Sequence, residues 1–191
     1  MIARVDLSPA SPETAIFFPH GDPGMKRNKR IVVLCHCLLN VNAKISGLAH
    51  YGGILPHVVD MCLASGAGIM QLPCPETTYL GVKRWGMTRN QYDTPFYRRH
   101  CRDLLSPIVA QLCEYLDNGY TIDKIIGVDG SPSCGVRHTC EGYCGGMIDS
   151  RSTQPFQEVA GKGVFLDELV KMLAEQGISL PLDAIAENDP L

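Results

Sequence analysis

The chain has 191 residues, of which 19% are charged, and its formal net charge at neutral pH is −3. This charge excludes a protein whose main task is to bind the nucleic-acid backbone, because such binding needs an excess of cationic side chains to displace counterions. The longest apolar run is about five residues, whereas a membrane-spanning helix needs about 20. We therefore expect a globular protein without a membrane segment.

The N-terminal region differs in composition from the rest of the chain. Residues 1–30 are rich in proline, histidine and glycine without a sustained hydrophobic period, which predicts an arm ahead of a single domain over residues 31–191. Acidic residues and prolines stand where a secretory signal would need a basic start and an apolar stretch, so we expect a cytoplasmic protein. In that reducing compartment the nine cysteines are expected to be thiols or metal ligands.

From residue 31 onward, predicted strands alternate with predicted helices. The continuous β-branched run over residues 31–35 predicts a strand buried on both faces. The remaining predicted elements are a helix from Leu55 to Gly66 with Leu63 on its apolar face, a strand over 68–72, a helix over 101–116 closed by Asn118-Gly119, a strand over 122–128, a helix over 164–175 and a short strand over 182–186. This alternation predicts a Rossmann-like, three-layer α/β/α fold with a mainly parallel sheet.

Three cysteines follow the ends of predicted strands. Cys37, Cys74 and Cys134 come shortly after the first, second and third strand. Ligands of open α/β sheets bind outside the carboxyl ends of the strands, so we expect these three sulfurs to converge on one site. Three thiolates would leave one iron of a cubane cluster without a protein ligand, and an open iron is a Lewis acid that can bind a substrate atom.

The other cysteines have simpler interpretations. Cys35 ends the first predicted strand and is expected in the core. Cys62, Cys101 and Cys113 fall within helical patterns, where a free thiol is a small buried side chain. Cys140 and Cys144 lack the usual C-x2-C spacing of a zinc knuckle, and whether either is a further metal ligand stays open.

The segments that carry the three strand-end cysteines resemble the 2-thiouracil desulfidase (TudS) family. They are Cys37-Leu38-Leu39-Asn40, Cys74-Pro75-Glu76 and Ser131-Pro132-Ser133-Cys134-Gly135, in the family's order, and the resemblance spans about residues 31–150. It implies a 4Fe-4S cluster held by the three cysteines, which aerobic preparation can remove, and catalytic roles for Glu76 and Ser131. The family's glycine after C-L-L is Asn40 here, and the family's glycine-rich and proline-rich segment after C-P-E is replaced over residues 77–86. These differences indicate a divergent branch with a rebuilt substrate pocket.

The reaction implied by the resemblance is the removal of sulfur from a small thiolated, pyrimidine-like molecule without net redox change. Glu76 would act as general base on a water molecule, and Ser131 would relay a proton or hold the substrate. The candidate substrate-binding residues are Asn40, Lys44, Arg84 and Ser133. Two alternatives stay open: another reaction at an open iron, such as dehydration, and a non-catalytic metal-binding or iron–sulfur carrier domain.

Overall fold

The computed structural model describes residues 27–142 and 156–186. The predicted N-terminal arm lies almost wholly outside the described residues, as does Cys144. In chain order the elements are β1 (Arg30–Leu34), α1 (His36–Leu39), a 3-10 helix (Val41–Ala43), α2 (Pro56–Ser65), β2 (Gly68–Gln71), α3 (Pro75–Leu80), α4 (Arg89–Tyr92), α5 (Pro95–Asp117), β3 (Thr121–Val128), β4 (His138–Glu141), β5 (Gln157–Ala160), α6 (Val164–Glu175) and β6 (Leu182–Ile185).

Four strands form one sheet in the order β2-β1-β3-β6, and every neighbouring pair is parallel. Helices flank this sheet, so the predicted α/β fold with a parallel sheet and three layers is confirmed. The chain passes from β1 to β2 on one side and then crosses to β3 on the other side of β1. The carboxyl ends of β1 and β3 therefore border the point at which strand order reverses, where open α/β sheets bind their ligands.

The two central strands are buried because their side chains are apolar on both faces. Val33 and Leu34 in β1 and Ile125 in β3 are 0% exposed. The helix expected from Leu55 ends where glycine predicted it, since Gly66 has a φ of 67° and closes α2 in the left-handed conformation. The expectation that Leu63 faces the core is wrong: its side chain is 71% exposed, and within α2 the buried side chains are those of Val58 and Cys62.

The long helix α5 packs against α6 through apolar side chains and an ion-pair network. Arg98 on α5 donates to Asp93 at 2.6 Å and to Asp167 on α6 at 2.8 Å, and it also contacts Glu168. Glu168 is 4% exposed, so its carboxylate is buried against these arginine side chains. The network fixes α6 relative to α5, and α6 in turn supports the site described below.

Several short elements were not expected from the sequence. They are α1, the 3-10 helix, α3, α4 and the antiparallel pair β4-β5, which joins His138 to Ala160 and Glu141 to Gln157. Across the two ranges that the structure describes, every helix is too short or too polar to cross a lipid bilayer.

Candidate active site

A cavity of about 470 Å³ lies at the carboxyl ends of β1, β2 and β3. Its lining contains the three cysteines that sequence analysis placed after these strands, Cys37, Cys74 and Cys134. Glu76 and Ser131, the two predicted catalytic residues, line the same cavity. The volume falls within the range of about 300–1,000 Å³ that is usual for small-molecule sites.

The loops that carry the cysteines begin side by side at the carboxyl edge of the sheet, because the hydrogen bonds of the sheet continue just past the ends of the strands. The amide of Cys35 donates to the carbonyl of Ile126 on β3 at 3.0 Å, and the amide of Leu72 donates to the carbonyl of Leu34 on β1 at 2.8 Å. Each of the three loops therefore leaves the sheet at the same edge.

Cys37 lies in the short helix α1, directly after β1. Burial and neighbouring Cys35 together raise the pKa of its thiol to about 12, while Lys44 acts in the opposite direction. The hydroxyl of Tyr51 donates to the Cys37 carbonyl at 2.8 Å and fixes the backbone there. The thiol is protonated at neutral pH, so a metal that binds this sulfur must displace a proton.

Cys74 caps the N-terminus of α3 with its sulfur. Its backbone is extended, with φ −82° and ψ 110°, and Pro75 occupies the first helical position. The Thr77 amide donates to Sγ of Cys74 at 3.5 Å, and the Thr77 hydroxyl oxygen lies 3.2 Å from the same sulfur. Cys74 therefore presents a sulfur with two protein hydrogen-bond donors beside it.

Cys134 is held by a tight loop after β3. The Ser131 hydroxyl oxygen accepts hydrogen bonds from the amides of Ser133 at 3.3 Å and Cys134 at 3.0 Å. The Val128 amide donates to the Cys134 carbonyl at 2.8 Å, which folds the loop back onto the end of the strand. Ser131 thus shapes the loop, and its own proton is available for a group in the cavity.

The start of α6 closes this loop from the other side. The amides of Val164 and Phe165 donate to the carbonyls of Pro132 and Ser133, each at 2.9 Å. Gly163 packs so closely that a Cβ at this position would overlap the Ser133 peptide. The first turn of α6 therefore uses its free amides to hold the cysteine loop.

The three cysteines supply sulfur donors of the kind that iron–sulfur clusters bind. Cys134 is 9% exposed and the pKa of its thiol is raised, first by a hydrogen bond with Cys35 and then by burial, with Cys37 and Cys74 acting in the same direction. Within residues 27–142 and 156–186, no group of three or more His, Cys, Asp or Glu side chains is arranged to hold a metal ion. The thiolates of a cluster bind different irons, and three soft sulfur donors around one cavity favour iron–sulfur chemistry over a hard oxygen site.

Glu76, in the first turn of α3, is paired with a buried cation. Its Oε2 accepts a hydrogen bond from Nε of Arg84 at 3.1 Å, and the Arg84 side chain is 3% exposed. The other donors of Arg84 bind the Ala43 carbonyl at 2.7 Å, and Thr77 Oγ1 and the Gly81 carbonyl, each at 3.2 Å. Arg84 lines the cavity. Its guanidinium was expected to bind a substrate, but it donates to acceptors of the protein.

A buried hydroxyl lies beside this ion pair. Tyr92 is 2% exposed, and its OH forms no hydrogen bond with any described residue. Burial raises the pKa of Tyr92, and Glu76 raises it further while Arg84 lowers it. Glu76 is therefore flanked by a buried guanidinium and a buried hydroxyl.

Of the other predicted substrate-binding residues, only Lys44 joins Arg84 at the cavity. Burial lowers the pKa of the Lys44 ammonium, against the influence of Cys37 and Glu76. Asn40 instead accepts hydrogen bonds from the backbone and side chain of Asn42, at 3.2 and 2.9 Å. Ser133 is 0% exposed and lies outside the cavity lining.

Sequence reasoning did not assign Asp129 to the site and left a ligand role for Cys140 open, and both residues line the cavity. Asp129 Oδ1 accepts the amides of residues 136–138 at 2.8 to 3.2 Å, and its position directly after β3 was a signal for such a role. Cys140 reaches the cavity on β4, and burial raises the pKa of its thiol. No local pattern marks Cys140, because its position depends on the distant partner strand β5.

Comparisons with known proteins give one clear relative. No known protein-family model matches the sequence. The uncharacterized protein MJ0003 of Methanocaldococcus jannaschii is 41% identical over 110 residues, which cover 58% of this chain and 70% of that protein. A solved structure of the 4Fe-4S-dependent thiouracil desulfidase TudS matches 81% of this chain and 90% of its own with a TM-score of 0.45 and 18% identity. So low a similarity establishes neither a common fold nor a common activity.

Proposed function

The chain belongs to the same family as the uncharacterized protein MJ0003, and we propose that it is a desulfidase that hydrolyses a small thiocarbonyl compound. Cys37, Cys74 and Cys134 would hold a 4Fe-4S cluster. One observation carries the proposal: all three cysteines line a single cavity together with Glu76 and Ser131. These are the positions at which the sequence resembles the 2-thiouracil desulfidase family.

The proposed reaction converts a thiocarbonyl and water into a carbonyl compound and hydrogen sulfide, so no electron donor or acceptor is needed. When bound, the cluster would supply an iron without a protein ligand, which acts as a Lewis acid towards sulfur. Glu76 accepts a proton from the attacking water through Oε1, since Arg84 engages Oε2. The Ser131 hydroxyl, whose oxygen already accepts two amides, donates its proton to the substrate.

The walls of the cavity support this chemistry by lowering the polarity around a bound substrate. Apolar side chains contribute much of the lining, among them Ile45, Leu48, Met87, Val128 and Phe156. Such surroundings strengthen hydrogen bonds and charge interactions with a bound substrate. A planar heterocycle with an exocyclic sulfur has the size and polarity that a cavity of about 470 Å³ accepts.

The decisive experiment is anaerobic reconstitution with iron and sulfide, followed by turnover of 2-thiouracil and 4-thiouracil in ¹⁸O-labelled water. We expect hydrosulfide release and incorporation of one labelled oxygen into the uracil that forms. Protein that carries a cluster yet releases no hydrosulfide from these or other thiocarbonyl compounds would contradict the proposal, and turnover of hydroxy acids instead would favour a dehydratase.

Cys140 supports a second candidate, a non-catalytic iron–sulfur carrier. A fourth thiolate from Cys140 would saturate the cluster and leave no position for a substrate. A cluster held by three thiolates loses the iron that has no protein ligand on mild oxidation. A cluster held by four thiolates keeps all of its irons. Ferricyanide treatment of the reconstituted protein, followed by EPR, separates the two candidates: a 3Fe-4S signal favours the enzyme, and its appearance only in Cys140→Ala favours the carrier.

A further inference from the structure

The surroundings of the Cys74 sulfur suggest a role for a residue that sequence analysis did not single out. We propose that Thr77 is the positioning residue for the Cys74 thiolate, and that Arg84 directs the Thr77 hydroxyl proton to that sulfur. The inference rests on the proposed function, because it concerns Cys74 as a ligand of the cluster.

The Thr77 hydroxyl has two acceptors within reach but only one proton. Its oxygen lies 3.2 Å from Sγ of Cys74 and 3.0 Å from the carbonyl oxygen of Ala43. A hydroxyl donates a single hydrogen bond at a time, so the carbonyl and the sulfur compete for it. The Thr77 amide, 3.5 Å from the same sulfur, adds a second and fixed donor.

Arg84 resolves this competition in favour of the sulfur. Its Nη2 donates to the Ala43 carbonyl at 2.7 Å, so that carbonyl keeps a hydrogen bond when the Thr77 proton turns away. Its Nη1 donates to Thr77 Oγ1 at 3.2 Å, which polarises the hydroxyl and strengthens it as a donor. A metal-bound thiolate carries negative charge and is a stronger acceptor than a neutral carbonyl.

The same guanidinium also binds the proposed base. Nε of Arg84 donates to Glu76 Oε2 at 3.1 Å, and the Arg84 side chain is almost fully buried. One arginine thus joins the hydrogen-bond donor of a cluster ligand to the carboxylate that would act on water. The positions of Cys74 and Glu76 are set together rather than independently.

This arrangement predicts a measurable property of the cluster. Hydrogen bonds to thiolate ligands raise a cluster's reduction potential, because they stabilise the negative charge that reduction adds. Removing the Thr77 hydroxyl should therefore lower the potential. If Thr77 only filled space, its replacement would leave the reduction potential of the cluster unchanged. A lower potential therefore distinguishes the hydrogen bond from packing.

The test compares Thr77→Val with Thr77→Ser and with a matched control, Thr78→Val. Thr78 is in the same helix, but its hydroxyl bonds the backbone carbonyls of Cys74 and Pro75, at 2.9 and 3.1 Å, and not the sulfur. Each protein is reconstituted anaerobically, and its iron content and reduction potential are measured by chemical analysis and redox titration.

We expect Thr77→Val to have a lower potential than wild type, Thr77→Ser to restore most of the shift, and Thr78→Val to leave the potential unchanged. Loss of iron from Thr77→Val alone, with Thr77→Ser still loaded, also supports the role. Equal potentials in fully loaded Thr77→Val and wild type overturn it, as does equal iron loss in both valine variants. A wild-type protein that assembles no cluster overturns the proposed function and this inference with it.

Discussion

The hydroxyl groups of Tyr97 on α5 and Ser133 in the Cys134 loop lie 2.9 Å apart in the core. Both side chains are almost fully excluded from solvent. Tyr97→Phe would leave the Ser133 hydroxyl buried without this partner, so we expect a loss of about 1–3 kcal/mol in the free energy of unfolding. Denaturant titration of Tyr97→Phe, Ser133→Ala and the double variant tests this. Costs that simply add would contradict the contact.

Gly163 is expected to tolerate no larger residue. Gly163→Ala introduces a Cβ that overlaps the Ser133 peptide, and forcing space into such a packed site costs about 1–3 kcal/mol. The φ of −66° suits alanine, so the loss would come from crowding alone. Gly52→Ala, where a Cβ meets nothing within 4 Å, is the control. Thermal unfolding measures the effect. If both variants had the melting temperature of wild type, the loop would move aside without a loss of stability.

Glu76→Gln separates catalysis from cluster binding. Glutamine keeps the shape of the side chain but cannot take up the water proton, so turnover should fall about 10²–10⁴-fold while iron content stays normal. The loss of the ion pair with Arg84 is expected to lower stability as well, so unfolding is measured on the same sample. Full iron with a near-normal rate would remove Glu76 from the mechanism.

Cys134→Ser should prevent cluster assembly, because a hydroxyl replaces one of three thiolates. The apo-protein should still fold, since a chain of this size buries enough apolar surface without a cluster. Cys113→Ser, on the helix α5 and outside the cavity lining, is the control and should load iron like wild type. Chemical iron and sulfide analysis measures the difference, and a loaded Cys134→Ser protein would exclude this ligand.

Alkaline pH should destabilise the apo-protein through Cys101. Burial raises the pKa of this core thiol from 9.0 to about 12, and Glu168 acts in the same direction. Below pH 9 the folded and unfolded chains both keep the proton, whereas between pH 9 and 12 only the folded chain keeps it, so the free energy of unfolding falls as pH rises.

Urea unfolding at a series of pH values measures this effect of Cys101. Cys101→Ala should be less stable than wild type near neutral pH, because it leaves a small cavity, and it should show a shallower decline above pH 9. Parallel curves for the two proteins would assign the alkaline loss to other buried groups, such as Tyr97, whose pKa burial also raises.

Local sequence patterns predicted the parts of the fold that depend on regular periodicity. The helix expected over residues 164–175 and the strand over 122–128 carry long apolar repeats, and both form. The expectation that the Cys37, Cys74 and Cys134 sulfurs converge followed from the geometry of parallel sheets, and all three residues line one cavity.

The rest of the site depends on tertiary contacts, which no local pattern records. The pairing of Glu76 with Arg84 needs the chain to turn back at Gly81, which has a φ of 80°. The place of Ser133 next to Tyr97 joins residues far apart in the chain. Expectations for Ser133 and Arg84 as substrate ligands came from their positions near motifs, whereas their hydrogen bonds go to the protein.

The first turn of α6 has a consequence for the thermodynamics of cluster binding. Its amides hold the carbonyls of Pro132 and Ser133, so the loop that carries Cys134 is ordered as soon as the helix forms. The conformational entropy of these residues is lost at folding and not at ligation. Assembly of the proposed cluster at Cys134 would therefore meet a site that is already in place, and the free energy of forming the iron–sulfur bond would be retained as affinity.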